Sequence, residues 1–131
     1  MFRKLVTTRT HMLAGFTPPF TPTGRSSLVA APPWHYAGTV FSLRFPVNPE
    51  AAQTLLPEDF GEATGAACGH FCEWQATTDG SELLDPVYAQ YNEFFVLIEA
   101  RRKAEQSALA SYCPFIWVDQ DIAMMRGLLQ G

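Results

Sequence analysis

The pattern of apolar and polar residues marks out four strand-like stretches in this chain. Across residues 36–47, Val40, Ser42, Arg44 and Pro46 fall on one side of an extended segment and Phe41, Leu43, Phe45 and Val47 on the other, which predicts a strand with one buried and one mixed face. Residues 67–77 and 91–102 repeat the pattern, the latter apolar on both sides from Phe94 to Ile98. A charged turn at 103–106 then leads into a fourth strand over 107–118, antiparallel to the third. Two short helices interrupt the strands. Asn48 has the chemistry of an N-cap and Pro49 and Glu50 suit a first turn, so a helix is expected over 51–56, ending before Pro57. Asp119 to Asp121 cap a second helix over 122–130, with Ile122, Met125, Leu128 and Leu129 at spacings of three and four.

The order β-α-β-β-β-α predicts an α+β fold of mostly antiparallel strands rather than a doubly wound sheet. Residues 58–65 read as a polar loop and 78–81 as a tight turn. Ahead of the strands, residues 17–33 carry Pro18, Pro19, Pro22, Gly24, Pro32 and Pro33, so residues 1–33 are expected to form a proline-rich arm and residues 34–131 the β domain.

Composition narrows the classes of function. The chain has 131 residues, 47% hydrophobic and 17% charged, with ten Phe, enough for a packed core. The low charge content favours burial of further surface, as in a homo-oligomer. A net charge of −4, with no basic cluster beyond Arg101, Arg102 and Lys103, argues against nucleic acid as a partner. No stretch approaches ~20 apolar residues, so no ordinary membrane span is expected, and residues 1–16 lack the uninterrupted apolar run of a secretory signal; the cytoplasm is the expected location. Cys68 and Cys72, four apart in an extended strand, would hold their Cα atoms about 13 Å apart and read as reduced core thiols. Cys113 has no His or Cys at ligand spacing, and no metal or other cofactor is expected.

Three residues stand out as site candidates. Glu93 opens the most apolar strand; it is either a strand-end acid turned to solvent or an acid among core groups, where desolvation disfavours its charge and suits it to proton transfer. An acid of the second kind needs a counter-charge, and Arg126 is the only basic residue after Tyr112. Arg44 is either an outward arginine on a half-exposed sheet or a guanidinium that fixes a substrate carboxylate by paired hydrogen bonds. His11, His35 and His70 are scattered and read as surface or satisfied histidines, and no phosphate loop or Ser-His-Asp arrangement is present.

Leu55-Leu56-Pro57-Glu58 after a short helix, Tyr91-Asn92-Glu93 opening a strand, and Tyr112-Cys113-Pro114-Phe115-Ile116-Trp117-Val118-Asp119 before a helix together resemble the acetoacetate decarboxylase family. Order and spacing agree over residues 32–131, the N-terminal half of that family's length. The resemblance implies an antiparallel β-barrel or cone around an apolar pocket, present in part. It also implies a carbon-carbon lyase acting on a small β-keto acid through a lysine Schiff base, with a second lysine lowering the first one's pKa. Glu93 matches the family's active-site glutamate. Counting back from Leu55 places the family's substrate-orienting arginine at Pro46, with Arg44 two residues earlier on the same strand face. In the family, the lysine pair follows the segment resembling residues 126–131. The chain's own lysines are Lys4 and Lys103, so the 131 residues are expected to be inactive alone, as a fragment or truncated form. The alternative is a non-catalytic β-barrel that binds a small molecule.

Overall fold

The computed structural model describes residues 12–78, 89–105 and 107–130, the last by its backbone alone. The elements run in the order β1 (His35–Pro46), α1 (Pro49–Gln53), β2 (Phe60–Thr77), β3 (Gln90–Arg102), β4 (Leu109–Val118) and α2 (Asp121–Gln130). The four strands form one antiparallel sheet in the order β1-β2-β3-β4, the expected α+β arrangement of antiparallel strands with two short helices. Much of the expected turn at 78–81 and the start of the N-terminal segment lie outside the described residues.

Contacts divide the chain into two units at Pro33/Trp34. Before that boundary the described part of the proline-rich segment makes contacts within itself. Ala14 and Thr21 pair as an antiparallel bridge, and the Thr17 hydroxyl accepts the Val29 N–H at 3.0 Å. Val29 is thereby buried to 1% exposure, which gives this short segment a centre of its own.

α1 begins as its sequence predicts: the Asn48 side chain accepts the Ala51 N–H at 3.1 Å, with Pro49 in the first turn. The helix stops at Gln53, and that side chain accounts for the main departure from the sequence reading. β2 starts at Phe60, well before residue 67, inside the segment expected to be a loop. Pairing with β3 is irregular there, with shifts between Phe60, Ala63 and Ala67. Gln53 makes up for the missing partners, accepting the Ala63 N–H at 2.8 Å and donating to the Gly61 carbonyl at 3.2 Å. Gly65, at φ 84, lets the chain bend between this irregular start and the regular ladder.

From Ala67 onward the register is regular, and it fixes what shares a face. Val40, Cys72, Glu93 and Val118 form one cross-strand row; Ser42, His70, Phe95 and Ile116 form the next. α2 lies over this side of the sheet, where Arg126 reaches Tyr36. The opposite side carries a ladder of rings: Phe41 against Phe71 at 6.2 Å, Phe71 on Phe94 at 4.4 Å, Phe94 on Trp117 at 5.4 Å, and Trp117 on Phe115 at 5.8 Å between centroids.

Burial departs from the expectation of one covered face. Every residue of β1 except Phe45 is exposed, Phe41 at 63%, and Trp117 on β4 is 54% exposed. The buried apolar positions of the sheet are mostly small, including Ala67, Cys72, Ala76, Ile98 and Ala100, and these lie on the two central strands. No helix among the described residues is long and apolar enough to cross a membrane.

Candidate functional site

Glu93 sits on β3 in the row of Cys72 and Val118, on the side of the sheet that α2 covers. Two residues earlier on the same face, Tyr91 opposes Trp74. Tyr36 on β1 meets Trp74 edge-on, with ring centroids 6.3 Å apart. These side chains and α2 enclose a hollow of about 560 Å³, lined on the sheet side by Tyr36, Trp74, Tyr91 and Glu93 and on the helix side by Met124 and Arg126. Its walls are largely apolar, with one acid and one base among them, the composition typical of a small-molecule site.

Arg126 is the more unusual of the two charged groups. It is 7% exposed, its guanidinium carbon lies 5.5 Å from the Trp34 ring and 5.6 Å from the Tyr36 ring, and Nη1 donates to the Tyr36 hydroxyl at 3.0 Å. Two aromatic faces and a neutral hydroxyl stabilise a cation without cancelling its charge. No carboxylate pairs with it among the described residues, and its Nε is buried with no hydrogen-bond partner. A buried guanidinium left this way retains donor capacity for an anionic group that enters the hollow.

Burial holds the Glu93 carboxyl above its usual range, as expected for an acid among core groups. The Tyr91 phenol is pushed well up, first by burial and next by the negative charge of Glu93, while Arg126 pulls the other way. Tyr91 therefore feels both charges of the site. Cys72, opposite Glu93, is raised by burial and then by the same carboxylate, so its thiol stays protonated at neutral pH. Cys113 is raised chiefly by burial, and all three cysteines are free. Among the described residues no group of His, Cys, Asp or Glu is arranged to hold a metal.

A consequence for stability follows from the raised acid. Because folding raises the Glu93 pKa, the folded chain binds more protons than the unfolded one from the ordinary glutamate range up to the raised value. Stability falls as pH rises through that window. Glu93→Gln is expected to unfold at a higher temperature than the parent at neutral pH, with the advantage shrinking below the ordinary glutamate range. Thermal unfolding of both proteins at neutral and acidic pH checks this; a variant that is less stable at neutral pH would count against a desolvated Glu93.

The sequence candidates separate in space. Glu93 and Arg126 line the same hollow, whereas Arg44 is 74% exposed and paired with Glu99 at 3.2 Å. Arg44 opposes Cys68, four residues along β2 from the partner of Glu93 and two strands away, so it shares a face with Glu93 but not the hollow. Asp119, which reads in the sequence as a helix cap and as the end of the Tyr112-to-Asp119 motif, clamps the start of β3. Its carboxylate accepts the Asn92 N–H at 2.8 Å and the Asn92 side-chain amide at 2.6 Å, and these bonds hold it below the usual carboxylate range. The Tyr-Asn-Glu segment is thus fixed to the end of β4. Nothing local in the sequence marks Tyr36 and Trp34 as site residues, because the return of α2 to them is a long-range contact.

The family model for acetoacetate decarboxylase matches residues 16–131. Among solved structures, the chain is similar to the enduracididine biosynthesis enzyme MppR in complex with the condensation product of pyruvate and imidazole 4-carboxaldehyde. The identity is 37% over 92% of this chain and 46% of that one, with a TM-score of 0.81. The same enzyme with HEPES buffer bound matches at 35% identity and a TM-score of 0.82, over 98% of this chain and 48% of that one. An acetoacetate decarboxylase-like enzyme from Sphingomonas wittichii RW1 matches at 28% identity and a TM-score of 0.76, over 90% and 46% respectively. The chain therefore spans about half the length of the solved relatives it matches. A comparison with curated protein sequences gives no match.

Proposed function

This chain belongs to the acetoacetate decarboxylase family, and on that premise we propose that it forms the keto-acid-binding half of a Schiff-base enzyme, with Arg126 as the carboxylate anchor and Glu93 as the proton-transfer group. The observation that carries this reading is the buried guanidinium of Arg126, without a carboxylate partner among the described residues, in the same hollow as an acid of raised pKa. A 2-oxo or 3-oxo acid supplies what the hollow lacks: a carboxylate for the guanidinium and a carbonyl oxygen that can share a proton with Glu93. One relative is described in complex with a condensation product of pyruvate, which makes pyruvate the natural first ligand to try.

The covalent step needs a neutral amine. Attack of an amine on the ketone, with loss of water, gives a protonated imine. That imine accepts the electron pair of the bond broken next to it, whether the departing group is CO2 or a proton, and becomes an enamine. A proton returned to the enamine carbon, or its addition to an aldehyde, completes a decarboxylation or a condensation. Glu93 is positioned to move such protons. Lys103 is a poor source of the amine: its Nζ donates to the Glu58 carbonyl at 2.8 Å, and it is not among the residues that line the hollow. Lys4 lies outside the described residues. Lys103 is therefore not assigned as the amine, and its position favours the non-catalytic reading of the described residues, a hollow that binds the keto acid reversibly.

The expected outcome is reversible binding without capture. Pyruvate titrated into the isotope-labelled chain should shift resonances of Arg126, Tyr36 and Glu93. Cyanoborohydride added to the mixture should leave the mass of the chain unchanged. A reduced adduct on Lys103 would overturn the assignment of the amine, and an absence of shifts at Arg126 would overturn the site.

A further inference from the structure

The face that carries Glu93 does not end at the hollow. One row further along the sheet, Ser42, His70 and Phe95 stand side by side on β1, β2 and β3. The Ser42 hydroxyl and His70 Nδ1 share a hydrogen bond of 2.8 Å, and the imidazole stacks on Phe95 with centroids 4.8 Å apart and planes 25° apart. Two contacts on different strands thus fix the ring, and Nε2, the nitrogen farther from the backbone, makes no hydrogen bond among the described residues. Beyond His70 lies a second hollow of about 240 Å³, lined among others by Arg44, Cys68, His70, Glu99 and Ser111. Glu99 is held from two sides, by Arg44 at 3.2 Å and by the Thr64 hydroxyl at 2.9 Å.

We propose that this second hollow is a distal subsite, which takes the polar end of an elongated 2-oxo acid whose carboxylate lies at Arg126. The inference rests on the keto-acid reading above and deepens it by naming the length and the far end of the substrate. Tyr36, Gly38, Val40 and Ser42 are successive positions on one face of β1. Three steps of about 6.6 Å separate the Arg126 end from the His70 end, with the Glu93 row between them. Pyruvate is far too short to touch both ends, so the polar groups around His70 serve a ligand with a chain beyond its carbonyl. Their mixture defines the chemistry of that far end. A guanidinium, an imidazole and hydroxyls beside a carboxylate match a group that both donates and accepts, such as a carboxamide, better than a bare anion, which Glu99 would repel. The ring of His70 is ordered before the ligand arrives, which lowers the ordering cost of binding.

The test compares two probes on the full chain, with histidine ring resonances and backbone amides followed by NMR: pyruvate, and a long-chain 2-oxo acid ending in a carboxamide. Pyruvate should perturb the Arg126 end only. The longer acid should perturb that end and His70 Nε2 together and bind about tenfold more tightly than pyruvate. His70→Phe keeps the stack on Phe95 and removes both ring nitrogens; most of that advantage should vanish, with pyruvate affinity as the control for the Arg126 end. If the long acid binds no better than pyruvate and leaves His70 unmoved while Arg126 responds, the subsite is refuted and the keto-acid reading stands. If neither acid perturbs Arg126, both fall together.

Discussion

Replacing Arg126 with methionine is expected to weaken pyruvate binding on the order of a hundredfold and to leave the fold at least as stable as before. The two effects point in opposite directions for one reason. Arg126 is 7% exposed, yet its partners among the described residues are two aromatic rings and one hydroxyl, and its Nε is unsatisfied. A buried charge of that kind costs desolvation without the return that a carboxylate partner would give. Methionine fills much of the same volume and retains contact with the rings of Trp34 and Tyr36. A ligand carboxylate, by contrast, loses the one guanidinium that lines the hollow among the described residues. Calorimetric titration with pyruvate and thermal unfolding of parent and variant measure both halves. A variant that unfolds several degrees lower and binds as the parent does would make Arg126 a packing residue and remove the anchor from the proposed site.

That opposition also shows where the sequence was informative and where it was not. Strand order, the Asn48 cap and the two short helices follow from local patterns, since alternation, capping chemistry and proline placement act within a few residues of one another. Glu93 was legible as a candidate because a lone acid interrupts an apolar strand, and the ordered family motifs strengthened it. Arg126 was legible only as the available counter-charge. Its seat between Trp34 and Tyr36 depends on contacts ninety residues apart, which no local pattern encodes. The early start of β2 was hidden for a related reason: Gln53, from the preceding helix, completes hydrogen bonds that a loop-like sequence could not satisfy alone. His70 read as a scattered histidine because Ser42 lies 28 positions away in sequence and only strand pairing brings them together.

Gly38→Ala is expected to destabilise the chain by about 3 kcal/mol and to disorganise the Arg126 end of the site with it. A Cβ at this position would run into the Glu73 carbonyl oxygen and lie 2.6 Å from Cε3 of the Trp74 ring. The first obstacle is backbone of the neighbouring strand, so no side-chain rotation relieves it; β1 must move away from β2. Gly38 lies between Tyr36 and Val40 on the face that carries the site, and its register partner is Trp74. Any shift of β1 therefore carries the Tyr36 hydroxyl away from Arg126 and breaks the edge-on contact between Tyr36 and Trp74. Gly127→Ala supplies the contrast. Its Cβ would meet nothing within 4 Å, and the residue lies inside α2, so the same added methyl should stabilise by about 0.5–1 kcal/mol through helix propensity. Chemical denaturation of both variants, with tryptophan fluorescence as the signal, separates a steric effect from a general response to an added methyl. A Gly38→Ala protein as stable as the parent would mean that the two strands are not packed this closely, and that Tyr36 is not held against Arg126 by the sheet.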